Sequence, residues 1–251
     1  MDRALYLPRT TERYRSPGGP EEWGRPMPLL NRSITEIQEP ELVAHVLNDA
    51  HYRRTLLNIK GMYADGARIL DQVDLRLFEP DARGDIDILV VPAKEPEMST
   101  AIQVKRFAIT VGLDAAGHDV VEGDNPRRLQ KLIAKGVQQA NLTKRIGFAH
   151  TYLWAFIEVD GRRRNNGWYS YDCGEHLWRG RVDQAFSAVG LNPAIGRMSF
   201  EWTQPMDRPP FELATHGGSL ASLATTTPQP VALTERLRTL RSPVLRIAQM
   251  H

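Results

Sequence analysis

Two segments of the chain place hydrophobic residues at the three- and four-residue spacing of an amphipathic helix. The first covers residues 33–50, "SITEIQEPELVAHVLNDA", where Pro40 suits the first helical turn. The second begins with Asn125 and Pro126, a favourable cap and first helical residue, and runs to about Arg145. The predicted buried stripes are Leu42, Val43, Val46, Leu47 and Ala50 in the first segment, and Leu129, Leu132, Ile133, Gly136, Val137 and Ala140 in the second.

Alternating or continuous apolar runs predict strands before, between and after these segments. Residues 67–79 alternate at Val73, Leu75 and Leu77, and two apolar runs follow at about 85–92 and 100–110. Residues 112–124 are rich in Gly and Asp, which indicates a loop. Further strands are predicted in "HTYLWAFIEVD", in "WYSYDC" after the turn "GRRRNNG", and in "GRMSFEWTQ", while "RVDQAFSAVGL" favours a helix.

The order of the clearest elements is helix, three strands, helix, strand. This order favours an α/β fold in which helices flank a central mixed sheet. Residues 1–32 are rich in Pro, Gly and charge and are expected to form an extended arm, followed by one domain over residues 33–212. Residues 214–230 are small and polar, so the interpretation of residues 213–251 is a linker and a basic C-terminal helix.

Composition narrows the class of protein without identifying an activity. The 32 basic and 30 acidic residues give a formal net charge of +2, which excludes a protein that coats a polyanion but is compatible with a local basic face. Cys173 is the single cysteine, so an intrachain disulfide and a cysteine zinc site are excluded. The chain shows neither a signal peptide nor an apolar run near the ~20 residues of a membrane span, and we expect a cytoplasmic protein without a membrane partner.

Two neighbouring predicted strands carry polar residues where a buried sheet should be apolar. Asp85 and Asp87 lie in the first and Gln103 and Lys105 in the second, and residues two apart share one face of a strand. A buried carboxylate is costly unless it is paired or binds a metal. If the strands are neighbours, oxygen ligands suited to Mg²⁺ or Mn²⁺ would meet a lysine able to stabilise phosphate charge, as phosphodiester hydrolysis requires. The alternative is a half-exposed edge with solvated acids.

The sequences "GDIDILVV" and "AIQVKR" resemble the metal site of the PD-(D/E)XK, or restriction-endonuclease-like, nuclease superfamily. The resemblance covers roughly residues 35–160. It implies that Asp87 is the metal aspartate, with Asp85 in that role if the register differs by two. It also implies that Gln103 is the second metal ligand, in the acidic position that glutamine occupies in Mrr-like restriction enzymes, and that Lys105 is the catalytic lysine.

The same resemblance implies roles for the two flanking helices. A glutamate of the preceding helix is expected near the site. Glu39 shares a face with the apolar stripe and is preferred, whereas Glu41 lies nearly opposite that stripe. In the following helix, one flank is expected to contact nucleic-acid phosphates through Arg128, Lys131, Lys135 and Gln139.

The predicted function is a nuclease that cleaves the DNA backbone with one or two Mg²⁺, or with Mn²⁺, although the sequence does not separate DNA from RNA. The alternatives are a non-catalytic nucleic-acid-binding or assembly module of the same fold with a decayed site, and an interaction domain with an acidic edge strand. Arg162, Arg163 and Arg164 favour an exposed turn over a DNA clamp. The N-terminal arm and the C-terminal helix, which contains Arg236, Arg238, Arg241 and Arg246, are candidate surfaces for a homodimer or a protein partner.

Overall fold

The computed structural model describes residues 38–48, 67–122, 126–160, 186, 190–204 and 212–240. Several predicted features lie outside these residues: the arm over residues 1–32, the strand "WYSYDC", most of the helix over residues 181–191, and the side chains of Arg162, Arg163, Arg164, Arg241 and Arg246. The division of the chain into arm, domain and tail stays a prediction.

The described helices surround a single mixed sheet. The helices are α1 (Glu39–Asn48), α2 (Pro126–Ile146) and α3 (Val231–Thr239). The strands are β1 (Arg68–Asp74), β2 (Asp85–Val91), β3 (Thr100–Leu113), β4 (Asp119–Glu122), β5 (His150–Asp160), β6 (Gly196–Gln204) and β7 (Glu212–Ser222). The sheet order is β1-β2-β3-β5-β6-β7, with β4 also paired to β3. The β3–β5 and β5–β6 pairs are parallel and the other pairs antiparallel.

Helix α1 covers one face of the sheet, as its apolar stripe predicts. The cluster on this face contains buried residues of α1 and of four strands: Leu42, Val43, Val46, Leu47, Ile88, Val90, Ile102, Val104, Tyr152, Trp154, Phe156, Met198 and Phe200. Trp154 and Phe200 meet edge to face with ring centroids 5.2 Å apart, a favoured arrangement of aromatic pairs. Burial of this cluster fixes the position of α1 over β2 and β3.

Helices α2 and α3 cover the opposite face. The stripe of α2 packs on alternate residues of β3 and β5, in a cluster that includes Ile133, Val137, Phe107, Leu153 and Ala155. The end of α2 and the buried side of α3 share a second cluster with β1 and β2. The predicted α/β class, with helices flanking a mixed sheet, is therefore confirmed. No helix in the described part of the chain is both long enough and apolar enough to cross a bilayer.

Strand β1 ends earlier than the alternation of Val73, Leu75 and Leu77 predicts. Leu75–Leu77 forms a turn of 3₁₀-helix instead. The Asp74 side chain accepts a hydrogen bond from the backbone N–H of Arg76 at 2.8 Å. A short acidic side chain that binds a nearby backbone group competes in this way with continuation of a strand. Leu77 is consequently 52% exposed, whereas Leu75 is buried.

The loop expected over residues 112–124 contains strand β4. Val111 of β3 pairs with Val121 of β4. Asp114 closes the connecting turn, because its Oδ1 accepts hydrogen bonds from the N–H groups of Ala116 and His118 at 2.8 and 2.9 Å. The Gly and Asp content therefore marks a hairpin turn and not a continuous loop.

The prediction of a linker over residues 214–230 is wrong for the first half of this segment. Residues 214–222 belong to β7, which pairs with β6 through an irregular register. Their small polar side chains give no alternation to detect, and pairing with the exposed edge of β6 decides their structure. Residues 223–230 have no regular secondary structure, and Thr227 N–H donates to Ala149 O at 3.0 Å. Helix α3 follows and buries Leu233 and Leu237 in the core.

Candidate active site

The candidate site lies where one edge of β3 is interrupted. Strand β5 pairs with one edge along Thr100 to Thr110, so β2 and β4 must both pair with the other edge. The β2 ladder ends at Ile102 and the β4 ladder begins at Thr110. Among the described residues, no strand pairs with the intervening part of this edge. Buried backbone N–H groups require other acceptors there, and two carboxylates provide them.

Asp87 reaches this interruption from β2. Its Oδ2 accepts the backbone N–H of Val104 at 2.7 Å, and its Oδ1 accepts from the Gln72 amide at 3.3 Å. Gln72 lies between Asp71 and Val73, which pair with β2, and has a φ of 48°, an unusual conformation for a residue other than glycine. Burial raises the pKa of Asp87 to about 6, opposed by the Lys105 ammonium and the Val104 N–H.

Lys105 joins Asp87 to a carboxylate of α1. Its Nζ donates to Oε1 of Glu39 at 2.8 Å, lies 3.9 Å from Oδ2 of Asp87, and also donates to the carbonyl of Val104. The other oxygen of Glu39 accepts the backbone N–H of Arg106 at 3.2 Å. The side chains of Lys105 and Asp87 are only 7% and 9% exposed, whereas that of Glu39 is 29% exposed. One ammonium thus bridges two acids brought together from separate elements.

The two glutamates at the start of α1 have different partners. Glu39 reaches the sheet, as its position on the apolar face predicts. Glu41 turns back and accepts the backbone N–H of Gln38 at 2.8 Å, which satisfies a donor at the helix N-terminus. Of these two glutamates, Glu39 is the one that accepts a hydrogen bond from Lys105 among the described contacts.

Gln103 is fully buried beside this cluster, on the same strand as Lys105. Its Nε2 donates to the backbone carbonyl of Asp85 at 3.0 Å and to Oγ1 of Thr143 at 3.2 Å. Its Oε1 is buried and has no hydrogen-bond partner among the described residues. A buried amide oxygen without a donor is costly, so this atom is a candidate ligand atom.

Asp85 differs from Asp87 in its surroundings. The backbone carbonyl of Asp85 accepts a hydrogen bond from Gln103, and the residue also lines a surface cleft with Asp74 and Arg76. The structure therefore brings Asp87 to Lys105 and Glu39, and it shows no comparable contact for the Asp85 carboxylate within the described ranges.

The path of the Lys105 side chain depends on a glycine of α2. A Cβ at Gly136 would lie 2.6 Å from Cγ of Lys105, closer than real Cβ contacts. The glycine therefore leaves space through which the aliphatic stem passes between α2 and the sheet. The sequence places Gly136 in the apolar stripe, but it does not indicate this steric role.

A second buried ion pair adjoins the cluster. Arg106 donates from Nε to Oε1 of Glu158 at 2.6 Å, and its Nη2 lies 2.6 Å from Oε2. Glu158 is fully buried, and burial raises its pKa to about 7 against the opposing effect of Arg106. Because the Arg106 N–H also binds Glu39, this pair supports the backbone that holds the glutamate. The sequence signal for this ion pair was the acidic residue Glu158 inside the apolar run "YLWAFIEV".

The predicted nucleic-acid-binding flank of α2 is only partly assembled near the site. Lys135 and Gln139 line a surface cleft together with the turn that precedes β2. Lys131 is exposed and does not line this cleft. The side chain of Arg128 lies outside the described residues.

The oxygen atoms at the site are of the chemical type that a hard divalent cation prefers. No three His, Cys, Asp or Glu side chains within the described ranges form a cluster that could hold a metal. Asp87 and Glu39 supply two carboxylates, and the third oxygen would be the buried Oε1 of Gln103 that lacks a donor. Carboxylate and amide oxygens are the ligands that Mg²⁺ and Mn²⁺ prefer.

Comparison with known proteins does not assign the chain to a family. No protein-family model matches it, and no curated protein gives a significant match.

Proposed function

We propose that the protein is a metal-dependent nuclease that hydrolyses DNA phosphodiester bonds and has a restriction-endonuclease-like core. The observation that supports the proposal is the meeting of Asp87, Glu39 and Lys105 at the interrupted edge of β3. The superfamily resemblance implies an aspartate and a lysine on two successive strands and a glutamate on the preceding helix, and here Asp87 and Lys105 lie on the paired strands β2 and β3 and Glu39 on α1.

The proposal gives each residue a chemical role. Asp87, Gln103 and Glu39 would hold Mg²⁺ or Mn²⁺. When bound, such an ion supplies a Lewis acid and lowers the pKa of a coordinated water. Lys105 would stabilise the negative charge that develops on the scissile phosphate, because a fixed ammonium in a poorly solvated site needs little reorganisation. The Arg106–Glu158 pair would hold the backbone next to Glu39 without contacting the substrate.

A non-catalytic nucleic-acid-binding module of the same fold is the second candidate. It is favoured by the fact that all four carboxylate oxygens of Glu39 and Asp87 already have donors. These donors are Lys105 Nζ, the N–H groups of Val104 and Arg106, and the Gln72 amide. In this candidate the acids only satisfy the open edge of β3.

The test is incubation of supercoiled plasmid and linear DNA with wild-type protein in Mg²⁺, Mn²⁺ or EDTA. Asp87→Asn keeps the size of the side chain but removes its charge. Asp71→Asn is the matched control, because Asp71 is a partly exposed acid of β1 without an ion pair among the described residues. We expect metal-dependent cleavage by wild type and Asp71→Asn, and a loss of at least about 100-fold in Asp87→Asn.

The outcomes separate the two candidates. DNA binding by wild type without cleavage in either metal would favour the non-catalytic module. Cleavage by Asp87→Asn at the wild-type rate would show that the site is assigned to the wrong residue. Asp85→Asn, tested in parallel, distinguishes the alternative register of the metal aspartate.

A further inference from the structure

A polar cleft lies between α2 and the turn over residues 79–84. Its volume is about 560 Å³. Three cations line it: Arg83 from the turn, and Lys135 and Arg145 from α2. All three are exposed, and none forms an ion pair with another described residue. Cations left unpaired on both walls of one cleft are available to an anionic ligand.

The residues that line the cleft adjoin residues of the candidate active site. Gly84, which lies on the wall formed by the turn, immediately precedes Asp85 at the start of β2, and its φ of 98° requires glycine. A Cβ at Gly84 would lie 2.9 Å from Nε2 of Gln139, so the turn closely approaches α2 there. The carbonyl of Gln139 accepts a hydrogen bond from Thr143, whose Oγ1 also accepts from Gln103. A strand of DNA along the cleft would therefore contact the part of α2 whose Thr143 binds Gln103.

A second cleft, which is formed by the same turn, is a weaker candidate. Its cations are Arg76, whose guanidinium is paired with Asp74 at 2.5 Å, and Arg83, which lines both clefts. This pairing occupies Nε and Nη2 of Arg76, which leaves fewer donors for a phosphate. Of these two clefts, the one against α2 also has the unpaired cations Lys135 and Arg145 on its second wall.

We propose that the cleft lined by Arg83, Lys135 and Arg145 binds backbone phosphates of DNA next to the candidate active site. This inference rests on the proposed function in taking DNA as the ligand. Backbone phosphates are the group that Arg and Lys contact most often in protein–DNA complexes, and such contacts set the register of the duplex. Arg83 and Arg145 thereby join Lys135 as substrate contacts, while Lys131 lies outside the contact surface.

Two acidic residues of the cleft provide a second set of test variants. Glu79 and Asp81 also line the cleft and are not paired with its cations. If phosphates occupy the cleft, these carboxylates repel them, so Glu79→Gln and Asp81→Asn should tighten DNA binding. A neutral ligand would not produce opposite effects from the two sets of substitutions.

The experiment measures anisotropy of a fluorescent duplex with protein in EDTA over a range of salt concentrations, so that affinity is read without cleavage. Arg83→Gln, Lys135→Gln and Arg145→Gln are compared with Lys94→Gln, an exposed lysine between β2 and β3 that does not line the cleft. We expect each cleft variant to reduce the slope of log Kd against log salt by about 0.9. Lys94→Gln should leave the slope unchanged. Inorganic phosphate and a free nucleotide, added as competitors, show whether the site takes small phosphates or requires the polymer.

The result that overturns the inference is an equal effect of Lys94→Gln and the cleft variants, or no effect of either. Failure of the proposed function is a different result. In that case the wild-type protein does not cleave DNA, while the cleft variants bind DNA more weakly and the acid variants bind it more tightly. That result supports the phosphate-binding cleft and rejects the nuclease activity. If wild type cleaves DNA and the cleft variants bind normally, only the cleft is rejected.

Discussion

The Lys105 ammonium lies 2.8 Å from Glu39 Oε1, although the two residues are 66 positions apart. Lys105 leaves β3 on the side of α2, passes Gly136, and turns so that its ammonium meets a glutamate of α1 on the other side of the sheet. The interruption of the β3 edge makes this crossing possible, because a continuous β2–β3 ladder would occupy the same space. A positive charge thus stands between the two acids that would hold a metal.

The first prediction is that Lys105→Met abolishes cleavage and tightens binding of Mn²⁺. The ammonium now neutralises the same carboxylates that would ligate the ion. Removal of a unit charge at about 4 Å is worth between about 1 and 4 kcal/mol, so the metal dissociation constant should fall by at least about fivefold. Calorimetric titration of Mn²⁺ into Lys105→Met, wild type and the surface control Lys94→Met measures this change. Weaker metal binding in Lys105→Met would show that the lysine does not compete with the ion.

The second prediction concerns Gln103, whose amide donates to Asp85 O and Thr143 Oγ1. Gln103→Glu adds a charge beside Asp87 and should tighten Mn²⁺ binding, but it loses both donated hydrogen bonds. A carboxylate facing a buried carbonyl should lower the metal-free stability by about 1–3 kcal/mol. Gln103→Leu should weaken metal binding instead. Calorimetry and thermal unfolding with and without Mn²⁺ test all three proteins, and identical metal affinities would exclude Gln103 as a ligand.

The third prediction is that Gly136→Ala disturbs Lys105 although alanine favours helix. In an unobstructed helix interior the change stabilises by about 1 kcal/mol. Here the added methyl would lie 2.6 Å from Lys105 Cγ, so cleavage should fall and the stabilisation should be absent. In a Lys105→Ala background the conflict with the lysine stem disappears, so Gly136→Ala should be more favourable to stability there than in wild type. Urea unfolding of the four proteins measures this coupling, and the smaller conflict with Leu153 Cδ1, at 3.2 Å, is common to both backgrounds. Equal effects of Gly136→Ala in both backgrounds would contradict the steric role.

The fourth prediction is that Glu158 lowers the stability of the protein as the pH rises. Its pKa is raised from an ordinary 4.5 to about 7, so the folded state holds its proton more tightly than the unfolded state. Between these values the unfolded state binds fewer protons, and the free energy of unfolding must fall with increasing pH. The loss attributable to this group is on the order of 3 kcal/mol and is complete above about pH 7.

Glu158→Gln should remove this part of the pH dependence. Asp87, with a pKa raised to about 6, contributes in an overlapping window, so Asp87→Asn is measured in parallel. Denaturant unfolding of the three proteins at several pH values supplies the comparison. Parallel stability curves for wild type and Glu158→Gln would mean that the Arg106 charge fully compensates the burial of Glu158.

Local patterns were sufficient for the elements that carry the site. The apolar stripes of α1 and α2 and the runs that became β2, β3, β5 and β6 are properties of neighbouring residues, and helix and strand periodicities record them directly. The same patterns exposed Asp87 and Lys105, because a charged residue inside an apolar strand departs from them visibly. They could not detect β7, whose small side chains show no alternation and whose structure depends on the open edge of β6.

The assembly of the site was decided by tertiary structure. No local signal states that β2 and β4 leave a gap on one edge of β3, since this follows from the order of strands in the sheet. The gap leaves backbone N–H groups that Asp87 and Glu39 satisfy, and it gives Lys105 a path between the layers. The pairing of Arg106 with Glu158 and the clearance at Gly136 likewise join residues distant in sequence. Sequence periodicity determines which face of a helix or strand is buried. Contacts between charged side chains from different elements depend on how these elements pack together, and this packing is decided only in the tertiary structure.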